Sequence, residues 1–427
     1  MSGRVVITGW GVASPLGNDR ATFAHALLNG QSAGAPIRGF DARGFACRIA
    51  AEVPAYDLAA SCPGWDLTAL VGTGDRKAEL GLLAAHQALA HAGLLEPGTG
   101  PDAISLGTGL SSVLVAEVEA ELIPFLREDG EFDHEAFARG ALPARRFLHR
   151  HLPGRTTALL AQLLGVTGPR ATSFAACAAG AHAIALAGRW IARGEAERVL
   201  AGGLDSMINP FGLASLQLLG TLTTRNDRPA AASRPFDRDR DGFLLGEGAA
   251  MLVVESAASA QARGAPILAE LLGSGSSLDA WHVTAPHPDG RGAVLAMRRA
   301  LADAGRSPAD VDYVNAHGTA TPLNDPVEIT AFREVFGPHA DRCPISSTKS
   351  MHGHLIAAAG ALEACAVLVA LQHQWLPPTI NVAHLDPACA ADVVPNVGRA
   401  ARLEVALSNS FGFGGQNGCL VFGTGQD

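Results

Sequence analysis

Short apolar runs ending in glycine alternate with longer helical patterns along the whole chain, and this alternation restricts the fold more than any other feature. Residues 4–9 (RVVITG), 103–107 (AISLG), 198–203 (RVLAGG) and 250–255 (AMLVVE) read as buried strands. Residues 19–28 read as a helix, and 75–93 as a long one with an Asp cap and a Gly stop. After residue 257 the pattern restarts, with strands at 267–273, 312–316, 344–348 and 405–408 and helices between them. Such alternation predicts an α/β fold with largely buried sheets. The similar element order of the two parts predicts two pseudo-symmetric halves, 1–257 and 258–427, divided at the polar helical stretch 257–265. Residues 129–153, rich in charge and His, break the pattern and are expected to form a surface excursion.

Composition narrows the function classes. Of 427 residues, 48% are hydrophobic and 17% charged, enough apolar mass for a large core. The net charge of −9, without any Lys/Arg-rich run, argues against nucleic acid. The seven cysteines are scattered without CxxC pairs, which disfavours a disulfide framework or zinc module and suits a reducing, cytoplasmic setting. No signal-peptide pattern opens the sequence, and no charge-free stretch of membrane length stands out.

Four blocks carry residues capable of chemistry. In TSFAACAAG a strand runs into Cys177 and small residues then open a helix, so the thiol sits where a helix N-terminus favours thiolate. A Cys among alanines is equally compatible with a small buried hydrophobe. In YVNAHGTATP, His317 follows a strand at a Gly/Thr turn, a position suited to catalysis or to a satisfied structural histidine. SSTKSMHGH places Lys349, His352 and His354 before an Ala-rich helix at 355–371; a metal reading of His-x-His is opposed by the nearby lysine. Finally, NSFGFGGQNG packs four glycines after a strand, which implies unusual φ angles and close backbone approach.

Together these blocks resemble the condensing enzymes of thiolase fold, in particular the β-ketoacyl-acyl-carrier-protein synthase II group. VVITGWGVASPLG, RNDRPAAASRPFDRDRDGFLLGEGA and DAWHVTAP extend the likeness over nearly the whole chain, and the separations of 140 residues from Cys177 to His317 and 37 from His317 to His354 match that group. The resemblance implies a layered αβαβα architecture and decarboxylative Claisen condensation of a Cys-bound acyl group with malonyl-carrier protein, in fatty-acid or type II polyketide biosynthesis. It makes Cys177 the nucleophile, the N–H groups of Cys177 and Phe413 the oxyanion hole, and His317 and His354 the stabilisers of the enolate. Lys349, paired with Glu363 or Glu328, joins a supporting charge network. Thr319 and Thr321 line the phosphopantetheine path, Phe413 gates the acyl and malonyl half-sites, and Leu110 floors the acyl pocket. Asn315, Glu363, Ser408 and Asn409 resemble a structural cation site. No cofactor is implied beyond the phosphopantetheine of a separate acyl carrier protein. The implied partners are that carrier and a second subunit, in a homodimer or a heterodimer with a chain-length-factor-like chain.

The sequence departs from the group at Gln416 (usually Thr), at Asn324 (usually Gly), at His352 (usually Thr or a small apolar residue), and at Gly220, where a basic residue commonly helps dock an acidic carrier. Arg76 and Lys77 are the candidates to compensate for the last. These departures point to a specialised pathway. The alternative function is a non-elongating, chain-length-factor-like subunit, and Cys177 argues against it. A Cys-His hydrolase would need neither the second His block nor the Phe-Gly-rich loop.

Overall fold

The apolar runs are the strands of a mixed sheet in a computed structural model that describes residues 3–96, 98–110, 113–140 and 151–425. Five strands come from the first half: β1 (Val5–Ala13), β2 (Ala103–Thr108), β3 (Arg170–Ser173), β4 (Arg198–Asp205) and β5 (Gly248–Ser256). Five come from the second: β6 (Ala269–Leu278), β7 (Tyr313–Asn315), β8 (Ile345–Ser346), β9 (Val405–Gly412) and β10 (Gln416–Thr424). Their spatial order is β8-β7-β9-β10-β6-β1-β5-β4-β2-β3. Read outward from the centre, the second half repeats the first with every strand number raised by five. In both halves the outer three strands are parallel and the inner two antiparallel. Only Val6 with Glu270 and Ile7 with Ala269 join the halves edge to edge, through β1 and β6.

Helices complete the layers. One outer layer holds α1 (Arg76–Ala92), packed on β1 and β5. The middle layer holds α2 (Ala179–Ala192), and α3 (Pro210–Leu218) follows β4 at the surface. The other outer layer holds α4 (Arg291–Asp303), on β6 and β10, with α5 (Asn324–Phe336) beside it. The last helix, α6 (Ala359–His373), joins α2 in the middle, and both touch strands of the two halves. Residues 359–371 of α6 are buried all round, as expected for a central helix. The span Ile356–His373 is apolar enough to cross a membrane by composition, but it is core here.

The duplication extends to the turns that matter. Ala176 (φ 44°) and Ile356 (φ 48°) hold the left-handed backbone that side chains avoid. Each opens a 3₁₀ turn, Ala176–Ala178 or Ile356–Ala358, that runs straight into α2 or α6. Cys177 occupies one elbow; Ala357 occupies the other.

The observed elements begin and end close to the expected ones, with the inner strands longer by a few residues. The strand β10 was not expected: the Gly-rich block reads as an isolated loop but is the turn of the β9–β10 hairpin, with Gly412 paired to Gln416. Within the irregular 129–153 segment, Asp133 caps a short helix, His134–Arg139, and Phe125, Phe132 and Phe137 cluster beside it; residues 141–150 lie outside the described residues.

On β2, Gly107 admits α2 against the sheet: a Cβ there would meet the Ala179 carbonyl carbon at 2.3 Å and the Gly180 nitrogen at 2.4 Å. Gly107→Ala is therefore expected to destabilise the protein by about 1–3 kcal/mol, as overpacking does, read as a lowered urea midpoint at unchanged slope.

Candidate active site

Cys177, His317 and His354 are far apart in sequence, yet the Cys177 sulfur and one ring nitrogen of each histidine all lie within 4.8 Å of one another. The fold explains the convergence. Cys177 stands on the elbow before α2 and His354 just before the equivalent elbow of α6, while His317 follows β7 of the neighbouring parallel trio. All three line one cleft of about 270 Å³ with Thr319, Thr321, Asn324, Phe411, Gly412 and Phe413. Of the seven cysteines, all buried, Cys177 alone lines that cleft. By residue type the trio could bind a metal ion, but the Lys349 ammonium beside His317 opposes a cation there.

The hydrogen bonds fix both imidazoles in one tautomer. His354 accepts the Ile356 N–H at Nδ1 (3.1 Å), which leaves its proton on Nε2. His317 Nδ1 lies 3.3 Å from the Lys349 ammonium, which can only donate, so His317 also carries its proton on Nε2. Burial first, then Lys349, hold both rings well below the ordinary imidazole range, and each is neutral near neutrality. The rings meet edge to face, with centroids 5.3 Å apart. Two neutral N–H donors therefore converge beside the sulfur.

Lys349 holds this arrangement. It is buried, and its ammonium donates to the His317 carbonyl (2.6 Å), the His317 ring and the Glu363 carboxylate. Of the two expected partners, Glu363 is the one that pairs with it. Glu328 instead accepts the backbone N–H groups of His317 (2.8 Å) and Gly318 (2.7 Å), clamping the turn that carries His317. Burial pushes Glu363 up to about 7 and Glu328 up to about 6 despite these donors.

The thiol departs from expectation. Burial pushes Cys177 up to about 11, although the Phe413 N–H and Lys349 pull it down. Desolvation therefore favours the neutral thiol over the thiolate. Phe413 stands in the hairpin turn, whose Gly414 (φ 76°) and Gly415 (φ 74°) need the left-handed backbone. At Gly412 a Cβ would lie 3.0 Å from the Cys177 nitrogen, so glycine lets this turn pass over the nucleophile.

Thr319 and Thr321 face each other across 2.9 Å, between hydroxyls, on the cleft wall. Leu110 is not brought into the cleft: it is 63% exposed at the end of β2. Arg76 and Lys77 do not replace a basic dock. Arg76 is bidentate to buried Glu247, and Lys77 is buried with its ammonium toward the Gly109 carbonyl (3.4 Å). His352 is buried and saturated: Nδ1 faces the Gly353 carbonyl (2.8 Å) and Nε2 the Thr348 hydroxyl (3.0 Å). Burial lowers it to about 3, so it is a satisfied core side chain. Sequence reasoning missed the aromatic edges that pack the imidazoles, Phe243 on His354 and Phe411 on His317. Both stand within blocks quoted for the resemblance, but a phenylalanine carries no chemical signal of its own.

Behind the cleft, Asn315 Oδ1, Glu363 Oε2, Ser408 Oγ and Asn409 Oδ1 are buried without hydrogen-bond partners. Asn315 and Ser408 are register partners on β7 and β9. Buried, unpartnered oxygens are the donor type a hard cation takes, although Ser408 and Asn409, consecutive on β9, project to opposite faces of the sheet.

Two outcomes follow from this geometry. Lys349→Met strands the buried Glu363 carboxylate and frees the His317 tautomer; it should cost about 3–5 kcal/mol in urea unfolding, as removing one member of a buried pair does. Iodoacetamide labelling of Cys177 should rise about tenfold per pH unit from pH 7 to 9, because the thiolate is the minor form throughout that range. A plateau below pH 8 would show instead a thiolate stabilised in the resting site.

The sequence profile for the beta-ketoacyl synthase N-terminal domain matches residues 2–260, and that for the C-terminal domain matches residues 268–383. A 3-oxoacyl-[acyl-carrier-protein] synthase 2 of Coxiella burnetii is 40% identical over 424 residues, covering 98% of each chain. Among solved structures, the ishigamide ketosynthase/chain length factor superposes with a TM-score of 0.87 at 34% identity, over all of both chains. The type II polyketide ketosynthase in AntDE:AntF, a complex with its acyl-carrier protein, gives 0.88 at 30%, also over both full chains. The elbow cysteine, the two histidines and these matches agree: the chain belongs to the β-ketoacyl synthase family of condensing acyltransferases.

Proposed function

We propose that Cys177 accepts an acyl group from a carrier-protein thioester and that His317 and His354 drive the decarboxylation that extends it by two carbons. The observation that carries this reading is the shared tautomer beside the thiol: both imidazoles carry their proton on Nε2, and one ring nitrogen of each lies within 4.8 Å of the sulfur. In the first half-reaction the sulfur attacks the thioester carbonyl, the carrier thiol leaves with the proton, and the tetrahedral oxyanion meets the N–H groups of Cys177 and Phe413. In the second, the malonyl C–C bond breaks and CO₂ departs. The electron pair moves onto the thioester oxygen, where both imidazole N–H groups stabilise it. The enolate carbon then attacks the acyl-Cys carbonyl and the Cys177 sulfur leaves. Neutral imidazoles suit this step, since they donate to an oxyanion without first protonating it. Phe413, over the nucleophile, separates the acyl and malonyl half-sites, and Thr319 and Thr321 hold the phosphopantetheine arm.

The orphaned oxygens of Asn315, Glu363, Ser408 and Asn409 hold a structural cation in this reading. Such a cation would add to the charge balance that Lys349 gives Glu363. A second subunit covers exposed Leu110 and Phe174, whether a copy of this chain or a chain-length-factor-like partner, and that contact closes the acyl pocket. Fatty-acid and type II polyketide elongation share this machinery. The active-enzyme reading is favoured over a non-elongating subunit because the thiol lies in the open cleft beside both imidazoles.

Replacing Cys177 with Gln separates the half-reactions. Cys177→Gln should abolish elongation yet retain malonyl decarboxylation, read as CO₂ and acetyl-carrier release. His317→Ala and His354→Ala should each lose about 10²–10³-fold of that decarboxylation, the usual loss on deleting one oxyanion donor, and still form some acyl-enzyme by intact mass. A folded Cys177→Gln protein that neither decarboxylates nor binds malonyl-carrier protein would refute the division of labour.

A further inference from the structure

Three bonds of its own segment hold the His354 ring in place. Its N–H donates to the Leu244 carbonyl (2.7 Å), its carbonyl accepts the Gly246 N–H (2.9 Å), and its Nδ1 accepts the Ile356 N–H. The last bond depends on Ile356 keeping its left-handed backbone (φ 48°), which a β-branched residue resists. Strain of this kind persists only where neighbouring contacts over-determine it. Such a contact comes from β4. Asp205, buried at the end of that strand, accepts the Ala357 N–H at Oδ2 (3.0 Å) and the Ser206 N–H at Oδ1 (2.9 Å). Two successive N–H groups of the elbow are thus aimed apart, one at the His354 ring and one at Asp205.

The same strand end holds the other side of His354. Ser206 donates its hydroxyl to Glu247 (2.8 Å), one residue beyond Gly246, and Arg76 and the Val53 N–H also bind that carboxylate. Asp205 and the residue after it therefore grip both the elbow that follows His354 and the segment that pairs with its backbone. Glycine makes room for the carboxylate: a Cβ on Gly109 would stand 2.2 Å from Asp205 Oδ2. Burial pushes Asp205 up to about 6, although the Ala357 N–H and Lys77 pull it down. Its charge also opposes thiolate formation at Cys177. A carboxylate that hinders the nucleophile does not serve acyl transfer. Among the described residues, those lining the cleft do not include Asp205, so it acts through other groups.

We propose that Asp205 is a positioning residue for decarboxylation: from the end of β4 it fixes the α6 elbow and so keeps the His354 Nε2–H aimed at the malonyl thioester oxygen. The proposal rests on the function proposed above and adds a residue that lies outside the four chemical blocks of the sequence. The elbow N–H needs an oxygen before it rather than a charge, so an amide oxygen can serve there and a methyl group cannot. Loss of the acceptor leaves the buried Ala357 N–H unsatisfied. The elbow then relaxes toward ordinary φ values and turns the Ile356 N–H off the ring. His354 loses the bond that fixes its tautomer, while His317, held by Lys349, keeps its own.

The test is a cycle of variants built on Cys177→Gln, which isolates decarboxylation, read as CO₂ release from malonyl-carrier protein. Asp205→Ala should lower kcat by about tenfold or more with KM within about twofold, the pattern of a group that acts in the transition state. Asp205→Asn, which keeps an oxygen for the Ala357 N–H, should stay within about threefold of the parent. Combined with His354→Ala, Asp205→Ala should cost less than about twofold more, because the residue it positions is gone. Combined with His317→Ala, the full loss should recur. With Cys177 intact, Asp205→Ala should raise iodoacetamide labelling at pH 8 by about twofold or more, since a nearby negative charge is removed. Should Asp205→Ala not fold, Asp205→Ser, whose hydroxyl stops one bond short of the carboxylate oxygens, carries the same comparisons. Undiminished decarboxylation overturns the proposal, as does an equal loss with and without His354, which would mark a general effect on the fold. Labelling and decarboxylation that fall together overturn it too, as does failure of both variants to fold. A parent protein that binds malonyl-carrier protein yet releases no CO₂ would instead remove the proposed function, and this proposal with it.

Discussion

The backbones of α2 and α6 touch at their N-termini, and the site depends on that contact. A Cβ on Gly180 would stand 2.9 Å from the Ala361 nitrogen, and one on Gly360 would stand 3.0 Å from the Ala181 nitrogen. The two glycines are equivalent in the two halves and exclude side chains from the same crossing. Gly203, at the end of β4, completes the approach, because its Cβ would fall 2.8 Å from the Ala357 carbonyl oxygen. Packing this close lets an elbow from each half reach one cleft, which larger residues would hold apart. The abundance of Ala and Gly in the composition is the requirement of this middle layer.

Charge is the second constraint, and protein groups meet it. Lys349 is buried between two elements that must keep register, the His317 turn and α6, and every donor of its ammonium is directed at one of them. A buried ion pair is costly to form and contributes little to net stability. Its effect is on geometry, since it orients one imidazole while Ile356 orients the other. Both rings are buried far enough to stay neutral, so the site holds two donors and no competing imidazolium.

Most of the architecture was legible because strand and helix periods are local properties. The strand β10 escaped because its signal follows a glycine-rich block that resembles a loop, and hairpin pairing is a long-range fact. That Cys177, His317 and His354 belong to one cleft was legible from their contexts and mutual spacing, whereas none of the three was persuasive alone. Sequence could not choose between Glu328 and Glu363 for Lys349, because both lie on helices at plausible distances in the chain. For the thiol, the helix terminus is visible in sequence but the desolvation that opposes it is not. Nor could it show that Arg76 pairs with Glu247, 171 positions away.

The duplicated elbow shows how one fold acquired an asymmetric site. Ala176 and Ile356 bear the same backbone strain, and each leads a helix N-terminus into the same region. On the α6 side the elbow residue is Ala357, and its N–H is spent on the buried carboxylate of Asp205 (3.0 Å). On the α2 side the equivalent residue is Cys177, and among the described residues no carboxylate is hydrogen-bonded to its N–H, although Asp205 and Glu363 act on the thiol electrostatically. Instead the Phe413 N–H reaches the sulfur from the hairpin turn. A helix terminus stabilises whichever anion is placed before it. One elbow is therefore satisfied permanently by a structural carboxylate. The other is open to the oxyanion that the proposed reaction would form, a difference between the halves that lies in their elbow residues rather than in the fold.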